Sequence, residues 1–226
     1  MDNGAPSPNL VLTHIWFIYH TLAFICTFIA VTLFPIYNMS VLEFINSNFE
    51  PVFERNADLP FIVTKREFEK GEIITSYDQI EQNAYFLISG IVEVTMHHDL
   101  EEKILDFFFP NSFFCSYTSF LLQQPSNVQI AALTCCEVEV INYTELQNAY
   151  KTSLIANQLG RVVTENLFIK KTDREKDFLT KSAEERYIEL LSKRTDIISM
   201  IPVNKIAKYL GIHPDSLSRI RKKIIS

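Results

Sequence analysis

The side chains best suited to chemistry lie at the end of the chain, in Pro214-Asp215-Ser216-Leu217-Ser218-Arg219-Ile220-Arg221-Lys222-Lys223. Stepped at about 100° per residue, Leu217, Ile220 and Ile224 share one helical face, and Asp215, Ser216, Arg219, Lys222 and Lys223 fall on the opposite one. A cationic, hydrogen-bonding front over an apolar back is what a helix needs to lie in the major groove of double-stranded DNA. Ser216 and Arg219 would reach base edges or phosphates, and the lysines would neutralise phosphates.

A basic helix alone would read as a solvated face, but this one follows a second helical pattern. In IPVNKIAKYLG, Pro202 suits a first helical turn and Val203, Ile206, Ala207 and Leu210 share one side. Gly211 stands where a left-handed residue ends a helix. Ile212-His213 is then the turn, with His213 the candidate N-cap of the helix opened by Pro214. Ahead of both, Ser182-Ala183-Glu184-Glu185 has the capping-box pattern, with Tyr187, Leu190 and Leu191 on one side of the helix it starts. The spacing predicts a helix-turn-helix whose core holds Ile206, Ala207, Gly211, Leu217 and Ile220.

Charge follows the same division. Residues 182 to 226 carry nine Lys+Arg and five Asp+Glu, net +4, while the other 181 residues carry 12 and 22, net −10. A basic tip on an acidic body suits a protein that meets a polyanion at one end.

Enzyme chemistry is poorly served. The five glycines stand far apart and form neither G-x-G-x-x-G nor a phosphate-cradling loop, the five histidines make no H-E-x-x-H, and no serine lies in G-x-S-x-G. These patterns exclude the common dinucleotide dehydrogenases, P-loop ATPases, zinc proteases and α/β-hydrolases. The residues point to no catalytic group, metal or cofactor. Cys26, Cys115, Cys135 and Cys136 contain no C-x-x-C pair, which disfavours zinc, iron–sulfur and disulfide frameworks and suits a reducing compartment. Cys135 and Cys136 read as strand neighbours and buried structural thiols.

Several elements must position the helix pair. Between Phe61 and Ile141 short alternating or apolar runs (FIVTKREF, KGEIITSYD, YFLISGIVEVTMHH, KILDFFFPN, VQIAALTCCEVEVIN) are separated by turn residues. Gly71 and Gly90 stand at tight reversals, and the pattern predicts an antiparallel roll or barrel. From Leu154 to about Thr172 the period lengthens. Ile155, Leu159, Val162, Asn166 and Ile169 form a narrow seam with one polar position, which predicts a long helix pairing two identical chains, and the alternative is a helix packed on its own roll.

Residues 1–38 are of another kind. Leu10 to Phe34 is apolar and long enough to cross the ~30 Å hydrocarbon core, yet no basic residue precedes it and the first to follow is Arg55, so nothing orients a span. Three readings stand: a translation start at Met39, whose SVLEFI opens like an amphipathic helix; a membrane anchor; or a buried core helix.

Roll, long helix and helix-turn-helix in this order, with GEII, YFLISG and KIAKYLGIHPDSLSRIRKK in sequence, resemble the Crp/Fnr family of bacterial transcription regulators over about Met39 to Ser226. With the apolar segment 1–38 as an extra N-terminal helix ahead of it, the resemblance implies an α+β chain of a cyclic-nucleotide-binding-type β-roll (39–150), a dimerisation helix (151–178) and a winged-helix/helix-turn-helix domain (179–226). It further implies a homodimer that binds a two-fold operator in the cytoplasm, with RNA polymerase as a partner. Asp215 and Arg219 fall at positions that read bases, and Pro214 replaces what is often a polar or basic contact. An inner-membrane-anchored sensor, whose roll binds a metabolite or protein, is the alternative if residues 10–34 are translated.

The ligand motif of cyclic-nucleotide binders is missing. Its Gly-Glu falls on Cys115-Ser116, and its phosphate-binding Arg on Ser126 or Asn127. Burying a phosphodiester without its guanidinium costs several kcal/mol, so cyclic AMP is not expected to bind in that manner. Phe107, Phe108, Phe109, Phe113 and Phe114 crowd the region as core or as the wall of a pocket for a small apolar effector.

Overall fold

The computed structural model describes residues 38–50, 52–98 and 101–225, apart from the side chains of 193–198 and 225. The apolar run 10–34 lies outside them, and with it the expected N-terminal helix. Helix α1 (Val41–Asn48) opens where Met39-Ser40 predicts. The Ser40 side chain accepts from the Glu43 amide while the Glu43 carboxylate accepts from the Ser40 amide, and Val41 and Ile45 are buried.

Eight strands follow: β1 (Thr64–Phe68), β2 (Ile73–Thr75), β3 (Asn83–Ser89), β4 (Val92–His98), β5 (Glu101–Phe108), β6 (Ser112–Phe114), β7 (Gln129–Ala132) and β8 (Cys136–Asn142). They form two antiparallel four-stranded sheets, ordered β1-β8-β3-β6 and β2-β7-β4-β5. Helix α2 (Tyr117–Leu122) lies between β6 and β7. The inward side chains of both sheets, among them Tyr85, Leu87, Val92, Phe114, Ile130 and Val138, make one apolar cluster. Gly71 and Gly90 both have positive φ, as their reversals require.

After the roll come α3 (Tyr143–Thr152), α4 (Leu154–Thr180), α5 (Ala183–Ile198), α6 (Val203–Leu210) and α7 (Pro214–Ile225). The α+β roll, long helix and further C-terminal helices therefore agree with the sequence pattern. The wing has no counterpart among the described residues, where every element after the roll is helical. Cys136 is buried, but Cys135 precedes β8 and is exposed, so only one of the two thiols is a core residue.

The long helix departs from the expected seam in its first turns. The chain reverses at Ser153, whose side chain caps α4, and lays Ile155, Ala156 and Leu159 against Leu146 and Ala149 of α3 and Phe120 of α2. Ile155 and Leu159 thus belong to the core of their own roll. Val162 is half-buried, and Asn166 and Ile169 are exposed beside Phe168, which is 70% exposed.

Candidate functional site

Helices α6 and α7 are built as their residues predict. Pro202 stands at the N-cap of α6, and Gly211 ends it at φ 70°, its amide donating to the Ala207 and Lys208 carbonyls. A Cβ at this φ would be strained. The Asp215 amide donates to Nδ1 of His213 at 3.3 Å, which makes His213 the cap of α7. Ahead of the pair, Ser182 and Glu185 complete the reciprocal capping box of α5.

The apolar back of this unit is continuous with the roll. Ile206, Ala207, Leu210 and Leu217 are buried with Tyr187 and Ile201, and against them lie Ile104 and Phe107 of β5 with Ile91 and Leu133 from turns of the roll. Ile220 is half-buried on the same side. Phe107 packs at a tilt against Tyr209, ring centroids 5.3 Å apart, so this phenylalanine and neighbouring Phe109 belong to the junction between roll and helices.

Asp215, Ser216, Arg219, Lys222 and Lys223 are all exposed, as is His213. They are not equivalent. Arg219 and Lys222 make no ion pair among the described residues, whereas the Lys223 ammonium lies 2.8 Å from Glu184 of α5. Lys223 therefore serves the packing of α7 on α5 in this arrangement. Ser218, which the sequence reading did not single out, shares the exposed face.

The basic tip is smaller than the charge count suggested. Lys205 meets Glu93 of β4 at 2.5 Å, with the carboxylate largely buried, and Lys208 meets Glu102 of β5 at 3.4 Å. These two cations of α6 hold the helix pair to the acidic roll, and outward positive charge is concentrated on α7.

Within the roll, a cavity of ≈ 510 Å³ runs from the inner strands to α4. Val94, Met96, Leu105, Phe108, Phe114 and Val128 form much of its wall. Phe108, Phe113 and Phe114 line it and Phe107 does not, which divides the phenylalanine cluster between cavity and core. At the positions where a cyclic-nucleotide cassette would stand, Ser116 and Ser126 are buried and hydrogen-bonded to each other at 2.6 Å. Burial pushes the Cys115 thiol well above its ordinary value and the Tyr150 phenol up to about 12, so neither offers a nucleophile at neutral pH.

Four buried carboxylates, Glu81, Glu93, Asp106 and Glu139, escaped the sequence reading. Glu81 accepts from the Thr75 hydroxyl at 2.6 Å and from the amides of Asn83 and Ser116, and burial raises its pKa. Asp106, 2% exposed, faces three cations of α4: Lys170 at 2.9 Å, Lys171 at 3.3 Å and Arg174 at 4.0 Å. A signal for it existed, since a lone acid within the apolar LDFFF run calls for a partner.

Residues 65–153 match the family model of the cyclic nucleotide-binding domain. In fold the chain is similar to FixK2 from Bradyrhizobium japonicum, with a TM-score of 0.64 and 18% identity over 72% of this chain and 84% of that one. A chain assigned to the Crp/Fnr family of transcriptional regulators from Eubacterium rectale gives a TM-score of 0.59 and 18% identity, covering 84% of this chain and 86% of the other. The c-di-GMP-responsive global regulator CLP of Xanthomonas campestris gives 0.57 and 18%, covering 72% and 86%. No curated protein sequence matches the chain.

Proposed function

For a chain that carries a cyclic nucleotide-binding domain and whose structural neighbours include Crp/Fnr-family transcriptional regulators, we propose the role of a homodimeric, sequence-specific DNA-binding regulator of transcription. One observation carries the reading: α7 turns Asp215, Ser216, Arg219 and Lys222 to solvent over the buried Leu217, on a helix pair closed by a left-handed Gly211. Arg219 reads a base edge and Lys222 neutralises a phosphate. Ser216 and Asp215 fix the register of the helix in the groove, and RNA polymerase is the partner that DNA binding serves.

Dimerisation uses the outer side of α4. Phe168, Ile169 and Leu179 are exposed there, and Val162 and Asn166 border them, so the pairing surface begins later on the helix than the Ile155–Leu159 end of the seam. Two-fold symmetry then spaces the half-sites by about 10 bp or a multiple of it. Among the described residues no helix is long and apolar enough to cross a membrane.

The effector of such a regulator is not cyclic AMP held by the usual cassette, because two serines bonded to each other stand where a carboxylate and a guanidinium are needed.

The test is selection of duplexes from a random pool by the full chain, wild type beside Arg219→Ala and Lys222→Ala, across a salt series. Arg219→Ala should cost about 1–3 kcal/mol and relax one position per half-site, while Lys222→Ala should weaken all sequences alike and reduce the salt slope by about 1. Equal losses on selected and random DNA for both variants would refute base reading by Arg219.

A further inference from the structure

The Asp106 cluster forms the polar edge of the roll cavity. Asp106, Lys170 and Lys171 all line it, and the rest of the wall is largely hydrocarbon and aromatic. Both lysines spend their charge on the same oxygen, Oδ2 of Asp106, at 2.9 and 3.3 Å. Two ammonium groups against one carboxylate leave a surplus of one positive charge. Arg174, 4.0 Å from Oδ1 of Asp106, adds to the positive charge of the cluster but does not line the cavity, its guanidinium donating to the carbonyls of Leu105 and Tyr209 and lying over the Tyr209 ring at 4.0 Å.

A surplus cation beside an apolar chamber has an obvious complement. We infer that the roll binds an apolar carboxylate, with the carboxylate between Lys170 and Lys171 and the hydrocarbon body among Val94, Met96, Phe108 and Phe114. A monoanion offsets the surplus of the two lysines, and the carboxylate would share them with Asp106 as charge-assisted hydrogen bonds do elsewhere. Lys170 is poised for this, since its ammonium already lies over the Phe108 ring at 4.6 Å.

Size agrees. A dry cavity of about 150 Å³ takes benzene, so ≈ 510 Å³ has room for roughly ten to twenty heavy atoms on that scale. A cyclic nucleotide carries a monoanion too, but its ribose and base would press many polar atoms against this wall, each costing free energy if unpaired.

The body of the acid can be aliphatic or aromatic, and the experiment separates the two. Equilibrium dialysis of the full chain would compare decanoate, 1-naphthylacetate, decanol and cyclic AMP, on wild type and on Lys170→Gln/Lys171→Gln. Both lysines are about half exposed, glutamine keeps a hydrogen-bond donor at each position and Arg174 remains 4.0 Å from Asp106, and the comparison of acid with alcohol needs no variant. At least one acid should bind wild type about tenfold or more tighter than decanol, the scale of one charge-assisted contact. The double variant should bring that acid to the affinity of decanol and leave decanol unchanged. Equal binding of acid and alcohol, a preference that survives in the double variant, no binding of either acid, or tighter binding of cyclic AMP would each overturn the assignment. The site's chemistry does not depend on what α7 contacts, so failure here leaves the DNA reading standing, and the reverse holds.

Discussion

Substitutions on opposite sides of α7 should separate stability from recognition. Leu217 is fully buried among Ile206, Ala207, Leu210, Ile91 and Phe107. Leu217→Ala removes three carbons, worth about 2.4 kcal/mol at ~0.8 kcal/mol each. A residual void of ~50 Å³ adds about 1 kcal/mol at ~24 cal/mol per Å³. The expected loss is therefore about 3.5 kcal/mol, borne by the junction of helix pair and roll. Arg219 stands across the helix in solvent, and Arg219→Ala should change stability by no more than about 0.5 kcal/mol while relaxing base choice at one position per half-site. Urea unfolding of the full chain followed by circular dichroism, with amide hydrogen exchange resolved over residues 203–225, measures both. A loss below about 1 kcal/mol for Leu217→Ala, or equal losses for the two variants, would refute the assignment of buried back and solvent front.

Three further outcomes follow from particular contacts. Gly90 has φ 94°, and a Cβ there would lie 2.4 Å from the Cys135 carbonyl oxygen and 2.7 Å from Cys136 Sγ. Gly90→Ala should cost about 2–5 kcal/mol, and a urea midpoint close to wild type would contradict that geometry. Phe168→Glu should turn a dimer into a folded monomer in sedimentation equilibrium, whereas Leu159→Ala should cost about 2–5 kcal/mol and leave the protein dimeric. A dimeric Phe168→Glu protein would move the interface elsewhere. Burial raises the Glu81 pKa above 4.5, so between that value and the folded pKa the folded chain holds a proton that the unfolded chain has released, and stability falls as pH rises through the window. Glu81→Gln cannot ionise and should flatten that decline in melts from pH 4.5 to 7; parallel curves would rule Glu81 out as its source.

Much of the architecture was legible because it rests on local rules. Ser182 and Glu185, Gly211, and His213 with Pro214 mark helix ends through short-range hydrogen bonds and backbone preference, and each appears where its spacing places it. Alternating runs between Thr64 and Asn142 became strands for the same reason. The apolar side of the helix pair could likewise be read from period alone, because one step of about 100° per residue decides which side chains share a face.

Which surfaces meet across long sequence separations was decided only by the tertiary structure. The heptad-like spacing of Ile155, Leu159, Val162, Asn166 and Ile169 is the same for a seam against a second chain and for a face against the chain's own roll. The reversal at Ser153 is what lays Ile155 and Leu159 on α3. Lys205, Lys208 and Lys223 count as free cations in a sequence and become partners of Glu93, Glu102 and Glu184 once folded. Asp106 and Lys170 are separated by the last three strands of the roll and two helices in sequence and by 2.9 Å in space. Periodicity and capping act over a few residues and can be read along the chain, whereas ion pairing and burial depend on distances through space that no local pattern encodes.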